Sequence, residues 1–86
     1  MIKFRIDRKL NNQGKDCLII QIKKWWYFKW RDLYVKKGDE YNQVEFPIVQ
    51  YLKAVDFIDD LKEYPEKLTE YYTIIPIFNF MSRYEV

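Results

Sequence analysis

The densest group of side chains able to do chemistry is Lys23-Lys24-Trp25-Trp26-Tyr27-Phe28-Lys29-Trp30-Arg31, which holds all three tryptophans of the 86-residue chain between four cations. Rings that stack on bases and cations that meet phosphates are the ingredients of a single-stranded nucleic-acid platform. The same ingredients suit a nucleotide pocket, with a ring on the base and Lys24, Lys29 or Arg31 on the phosphates. The aromatic motifs of RRM sheets and the glycine-rich loop of KH domains are both absent. Exposed rings on a small domain also serve as anchors for protein partners. The contact residues expected on this surface are Lys23, Lys24, Trp25, Tyr27, Lys29, Trp30 and Arg31.

A second group is acidic. Asp56, Asp59, Asp60 and Glu63 recur at the three-to-four spacing that gathers side chains on one side of a helix. With Glu66 and Glu70 beyond them, they could imitate a row of phosphates in a basic groove, which makes them the alternative partner surface. Paired carboxylates can also act as general acid and base, but only where an apolar cleft separates their pKa values. Nothing in the spacing predicts such a cleft. Cys17 is the only cysteine and there is no histidine, so neither an internal disulfide nor a zinc ligand set is available. A lone cysteine at the start of a strand reads as a small core residue. With no serine-centred motif and no phosphate-cradling glycine loop, the chain is expected to be no enzyme and to carry no cofactor or metal.

The elements that would position these groups follow from periodicity. Ile2, Phe4 and Ile6 alternate with Lys3, Arg5 and Asp7, the pattern of a half-buried strand. Asn11-Asn12-Gln13-Gly14-Lys15 supplies the turn, so a second strand should return antiparallel from Asp16. Kept in alternation, that strand puts Leu18, Ile20, Ile22, Trp26, Phe28 and Trp30 on one face. Ile19, Gln21, Lys23, Trp25, Tyr27, Lys29 and Arg31 fall on the other. A strand reaching Val35 would far exceed the usual ~5–6 residues, so a break is expected at Lys23–Trp26 or at Arg31-Asp32.

Gly38 marks the next turn, and Tyr41–Phe46 alternates again with Val44 and Phe46 inward. Pro47 pre-sets a helix over 48–63 whose apolar side is Ile48, Tyr51, Leu52, Val55, Ile58 and Leu61. Pro65 ends it, a short helical segment spans 66–72, and the tail 73–84 is an edge-strand candidate interrupted by Pro76.

The expected fold is a single two-layer α+β domain, residues 1–86, with an antiparallel sheet of about four strands and the 48–63 helix across one face. The uncovered face would display Lys3, Arg5, Gln21, Lys23, Trp25, Tyr27 and Lys29, for which a homodimer or a heterologous partner would supply the missing layer. Charge divides along the chain: residues 1–37 carry eleven Lys or Arg against three Asp, and residues 38–86 carry four against ten Asp or Glu. If the halves occupy different faces, the molecule is strongly dipolar. No uncharged run approaches the ~20 residues of a membrane span and no leader pattern is visible, so a cytoplasmic location is expected. Eleven lysines to four arginines, ten isoleucines and a single alanine fit an AT-rich coding sequence such as a phage or mobile element. The expectation is therefore a non-enzymatic binding protein that inhibits or sequesters a host protein or complex, such as a defence component. The alternatives are a nucleic-acid-binding accessory protein and an oligomeric sponge for an anionic nucleotide.

Overall fold

A computed structural model describes residues 2–24 and 29–73 of the chain. The expected positions of Trp25, Trp26, Tyr27 and Phe28, and the tail strand after residue 73, lie outside the described residues.

Strands β1 (Lys3–Leu10) and β2 (Asp16–Lys23) pair antiparallel from Lys3 opposite Lys23 to Leu10 opposite Asp16. The turn between them is built by Asn11, whose side-chain Oδ1 accepts the backbone N–H groups of Gln13 and Lys15 at 2.9 Å each. Gly14 supplies the positive φ of 80° that an L side chain adopts only with strain. The alternation of apolar and charged residues in β1 is thus realised as a strand with one side toward the core.

β2 is covered on both faces, which is why it contains the unbroken run Cys17-Leu18-Ile19-Ile20. Leu18, Ile20 and Ile22 point into the main core with Leu33, Val44, Ala54, Ile58 and Leu61. Cys17, Ile19 and Gln21 point the other way and are also buried. The expected display of Gln21 on an open face is therefore corrected: it is only 5% exposed, because neighbouring polar side chains fold over it.

The second edge of β2 carries an interrupted strand. β3 (Arg31–Asp32) pairs antiparallel with β2 at Ile22 and Gln21, and β6 (Glu45–Phe46) pairs antiparallel with it at Ile19 and Leu18. Only Ile20 lies between the two pairings, yet the partner chain passes there from 32 to 45. Those intervening residues leave the sheet as a hairpin, β4 (Tyr34–Lys37) and β5 (Glu40–Gln43). Three backbone bonds close the junction. Leu33 N–H donates to Ile20 O at 3.0 Å, Val44 N–H to Leu33 O at 2.8 Å, and Ile20 N–H to Val44 O at 3.1 Å. The hairpin turns at Gly38-Asp39, with Gly38 at φ 60° in the first central position, where a type II′ turn requires glycine. β7 (Tyr71–Tyr72) joins the other side of β4 to make a small second sheet.

The expected helix is present as a 3-10 turn, Ile48–Gln50, running into α1 (Tyr51–Glu63). Pro47 stands just before it with φ −57°, and its carbonyl accepts the Gln50 N–H at 2.8 Å. Pro65 starts a second 3-10 turn, Pro65–Glu70. The buried side of α1 is Ala54, Ile58 and Leu61, with Phe57 packed beside them. This corrects the expected apolar side, because Tyr51 and Leu52 are 54% and 75% exposed. Phe57 links the layers, its ring 5.7 Å from Phe46 of β6 and 5.6 Å from Tyr71 of β7. The result is a small α+β fold: a four-stranded antiparallel sheet with one main helix across one face, and a three-stranded sheet branching from its edge.

Candidate functional site

On the side of the main sheet away from α1, the side chains form one hydrogen-bonded string. The Arg5 guanidinium lies over the Trp30 ring, 4.4 Å from its centroid, and its Nε donates to Gln21 Oε1 at 2.7 Å. Gln21 Nε2 donates to Asp32 Oδ1 at 2.8 Å, and Gln43 Nε2 donates to Asp32 Oδ2 at 2.9 Å. Lys9 Nζ reaches both oxygens of Asp32, at 2.8 and 2.9 Å. Gln43 Oε1 accepts the backbone N–H of Asn12 at 3.0 Å, which ties the string to the first turn. Each glutamine thus accepts at one end and donates at the other, so both amides are fixed in orientation.

Asp32 is the hub, with its side chain 15% exposed. Burial alone pushes its carboxyl up, but the bonds from Gln21 and Lys9, the charge of Lys9 and the bond from Gln43 together hold it below the ordinary aspartate value. A carboxylate held ionised by three donors is a poor proton acceptor, so the geometry gives it a structural task. Glu45 anchors a second small cluster, accepting from Asn11 Nδ2 at 2.7 Å and from the Cys17 thiol at 3.2 Å. Burial, and then the bond and charge of Glu45, push the Cys17 thiol up to about 11. Cys17 therefore stays protonated near neutrality and lacks the thiolate that nucleophilic chemistry needs. A thiol reagent at neutral pH is expected to label Cys17 in the native protein far more slowly than in denaturant, as read by mass spectrometry; equal rates would contradict this environment.

Of the residues expected on the basic aromatic surface, Lys23 ends β2 directly opposite Lys3. Lys24 is half-buried and Lys29 exposed. Arg31 returns in β3 opposite Ile22, and Trp30 is half-buried beneath Arg5. Trp25 and Tyr27 lie outside the described residues. The fold therefore brings Trp30 to the Arg5 side of the sheet, because the chain reverses between β2 and β3 and simple alternation does not carry through.

Of the acidic residues, Asp56, Asp59, Asp60 and Glu63 lie on α1, with Asp60 half-buried and the others exposed, while Glu66 and Glu70 fall in the following 3-10 turn. Asp60 makes an ion pair with Lys67 of the following turn at 2.8 Å. Val49 and Leu52 precede them at the same spacing and are 92% and 75% exposed. Positions 49, 52, 56, 59 and 63 make one outward stripe, apolar at its start and acidic at its end. Beside it runs a groove of about 280 Å³ between β1 and α1, lined by residues that include Phe4, Ile6, Tyr51, Val55 and Lys62. Reasoning from sequence missed both features. The available signal was an excess of apolar residues, Ile48, Val49, Tyr51, Leu52 and Val55, over what one side of a helix buries.

Among the described residues no three acidic or cysteine side chains group as metal ligands, and no helix is long and apolar enough to cross a membrane. No protein-family model, curated protein or solved structure matches the chain.

Proposed function

We propose that this chain is a small non-enzymatic binding protein that inhibits or sequesters a partner protein through the outward stripe of α1. The observation that supports it is the exposure of Val49 and Leu52, which lead without a break into Asp56, Asp59 and Glu63. Apolar residues at helical spacing are how an amphipathic helix fills a groove. The acidic continuation calls for a groove with a basic rim, because complementary charge raises the association rate and rejects other partners. The lysine- and isoleucine-rich composition supports a phage or mobile-element origin, under which the partner is a host protein such as a defence component.

The test is capture of a partner from host lysate by the wild type, compared with two variants. Replacing Val49 and Leu52 together with aspartate is expected to weaken that partner's binding by roughly thirtyfold or more, since loss of anchor residues costs about 2 kcal/mol or more. Reversing Asp56, Asp59 and Glu63 to lysine should slow association and invert its salt dependence, because screening then relieves repulsion from the basic rim. Both variants should unfold at about the wild-type temperature, as their side chains lie outside the core. If the same partner is lost instead on Lys23→Glu with Lys29→Glu, the basic surface is the contact. Retention of a single-stranded oligonucleotide with steep salt dependence would replace the protein-binding reading with the nucleic-acid one.

A further inference from the structure

Among the described residues β1 has one neighbour, β2, which leaves the outer edge of an eight-residue strand open within them, and the groove, mixed in polarity with Arg5, Asp59 and Lys62 beside Phe4 and Ile6, lies along it. Open edges are templates for strand pairing, and charged residues on them restrict what can pair. We infer that the occupant of this edge is β1 of a second copy, paired antiparallel about a two-fold axis through Ile6. Charge and apolar exposure select that register.

A two-fold axis perpendicular to the sheet keeps both helices on the same side and places residues opposite one another on the same face. Centred on Arg5, the pairing sets Arg5 against Arg5; centred on Asp7, it sets Asp7 against Asp7. Like charges directly opposite are destabilising. Centred on Ile6, each Arg5 faces Asp7 of the other copy, twice over. Arg5 commits its Nε to Gln21, and the Asp7 carboxylate has no hydrogen bond or ion pair among the described residues. Lys3 then faces Lys9 of the second copy, whose charge is already compensated by Asp32 at 2.8 Å.

The groove side agrees with this register at the axis and at its ends, although it sets Phe4 against Arg8 between them. Ile6 meets Ile6 at the axis, and Ile2 meets Leu10 of the second copy. Ile2 and Leu10 are 41% and 63% exposed in the single chain, and nothing else in the fold covers them among the described residues. Centred on Arg5, Ile2 would instead face Arg8; centred on Asp7, it would face Asn12. The dimer covers the exposed Ile2, just before β1, and Leu10, at its end, and places a second Phe4 and Ile6 along each groove. Its pairing residues all lie on β1 and it meets the outward stripe of α1 only at Asp59 on the groove wall, so the β1 variants and the Val49 and Leu52 variants test the two assignments apart.

Sedimentation equilibrium of the wild type should give twice the 10.8 kDa chain mass. Arg5→Glu and Asp7→Lys should each run as monomers, because each sets like charges opposite at both positions. Mixed together they should recover the dimer, since the introduced glutamate of one chain then faces the introduced lysine of the other, while the remaining Asp7 faces the remaining Arg5. Recovery on mixing also shows that both variants are folded. In a separate arm that does not depend on the charges, Ile6→Cys on the axis should crosslink to itself under oxidation, and Leu10→Cys should not. A wild type at the single-chain mass over the accessible concentration range overturns the inference. Variants that stay dimeric alone, or Leu10→Cys crosslinking as well as Ile6→Cys, overturn the register.

Discussion

Ile20→Ala is expected to destabilise the protein by about 4 kcal/mol, near the upper end for removing a buried aliphatic side chain. The side chain has no exposed surface and sits in the main core with Ala54, Ile58 and Leu61. Its backbone is also where the edge strand divides: Ile20 O accepts from Leu33 and Ile20 N–H donates to Val44. A cavity there cannot be closed by a local shift, because β3, β6 and the emerging hairpin are held at one point and α1 lies across them. At about 4–8 °C per kcal/mol for a domain of this size, the midpoint should fall by some 15 °C or more. Urea unfolding monitored by tryptophan fluorescence and far-UV circular dichroism checks it. A loss near that of a partly buried position at the margin of the core, such as Val35→Ala, would show that the junction is not under common constraint.

The contrast between what was readable and what was not follows from the range of the interactions. β1 and its turn were readable because alternation and the Asn-Gly segment act within a few residues, and the limits of the helix because Pro47 and Pro65 punctuate it. The interrupted edge strand was not readable. Arg31-Asp32 and Glu45-Phe46 are too short to show a period, and they belong to one strand only through the common partner β2. The break expected at Lys23–Trp26 coincides with the end of β2 at Lys23, but the return of the chain against the same strand rests on non-local pairing.

The side of the helix was misread for a related reason. Hydrophobicity favoured Tyr51 and Leu52, whereas close approach to the sheet selects the small Ala54, which has no exposed surface. In the candidate surfaces, the placement of the four acidic residues on one helix was readable from spacing. The groove depends on the distance between β1 and α1, which no local pattern encodes. Gln21 is the clearest example of the limit: an amide in an apolar strand reads as solvent-facing. It is buried because its partners, Arg5 and Asp32, are brought in from other strands.

Those partners make Asp32 the other position of large effect. Asp32→Ala is expected to cost about 3 kcal/mol, because it leaves the buried Gln21 amide and the half-buried Gln43 amide without their acceptor and removes the ion-pair partner of Lys9. The loss should exceed that from Asp16→Ala, whose ion pair with Arg8 is exposed at both ends. The effect has a pH signature whose direction is set by the depressed pKa. Because the folded carboxyl titrates below the ordinary 3.8, the native state binds its proton less readily than the unfolded chain does. The stabilisation is complete above the ordinary value and is lost as pH falls through the folded one, so wild-type stability should drop from ~pH 4 downward. Asp32→Asn keeps the shape and removes the charge: it should be less stable than wild type at neutral pH, and the gap should narrow on acidification. Urea midpoints of both proteins across that range measure the difference. A gap that stays constant from neutral pH to well below pH 4 would mean that the carboxylate's charge is not what holds Lys9, Gln21 and Gln43 together, and that the string is maintained by packing alone.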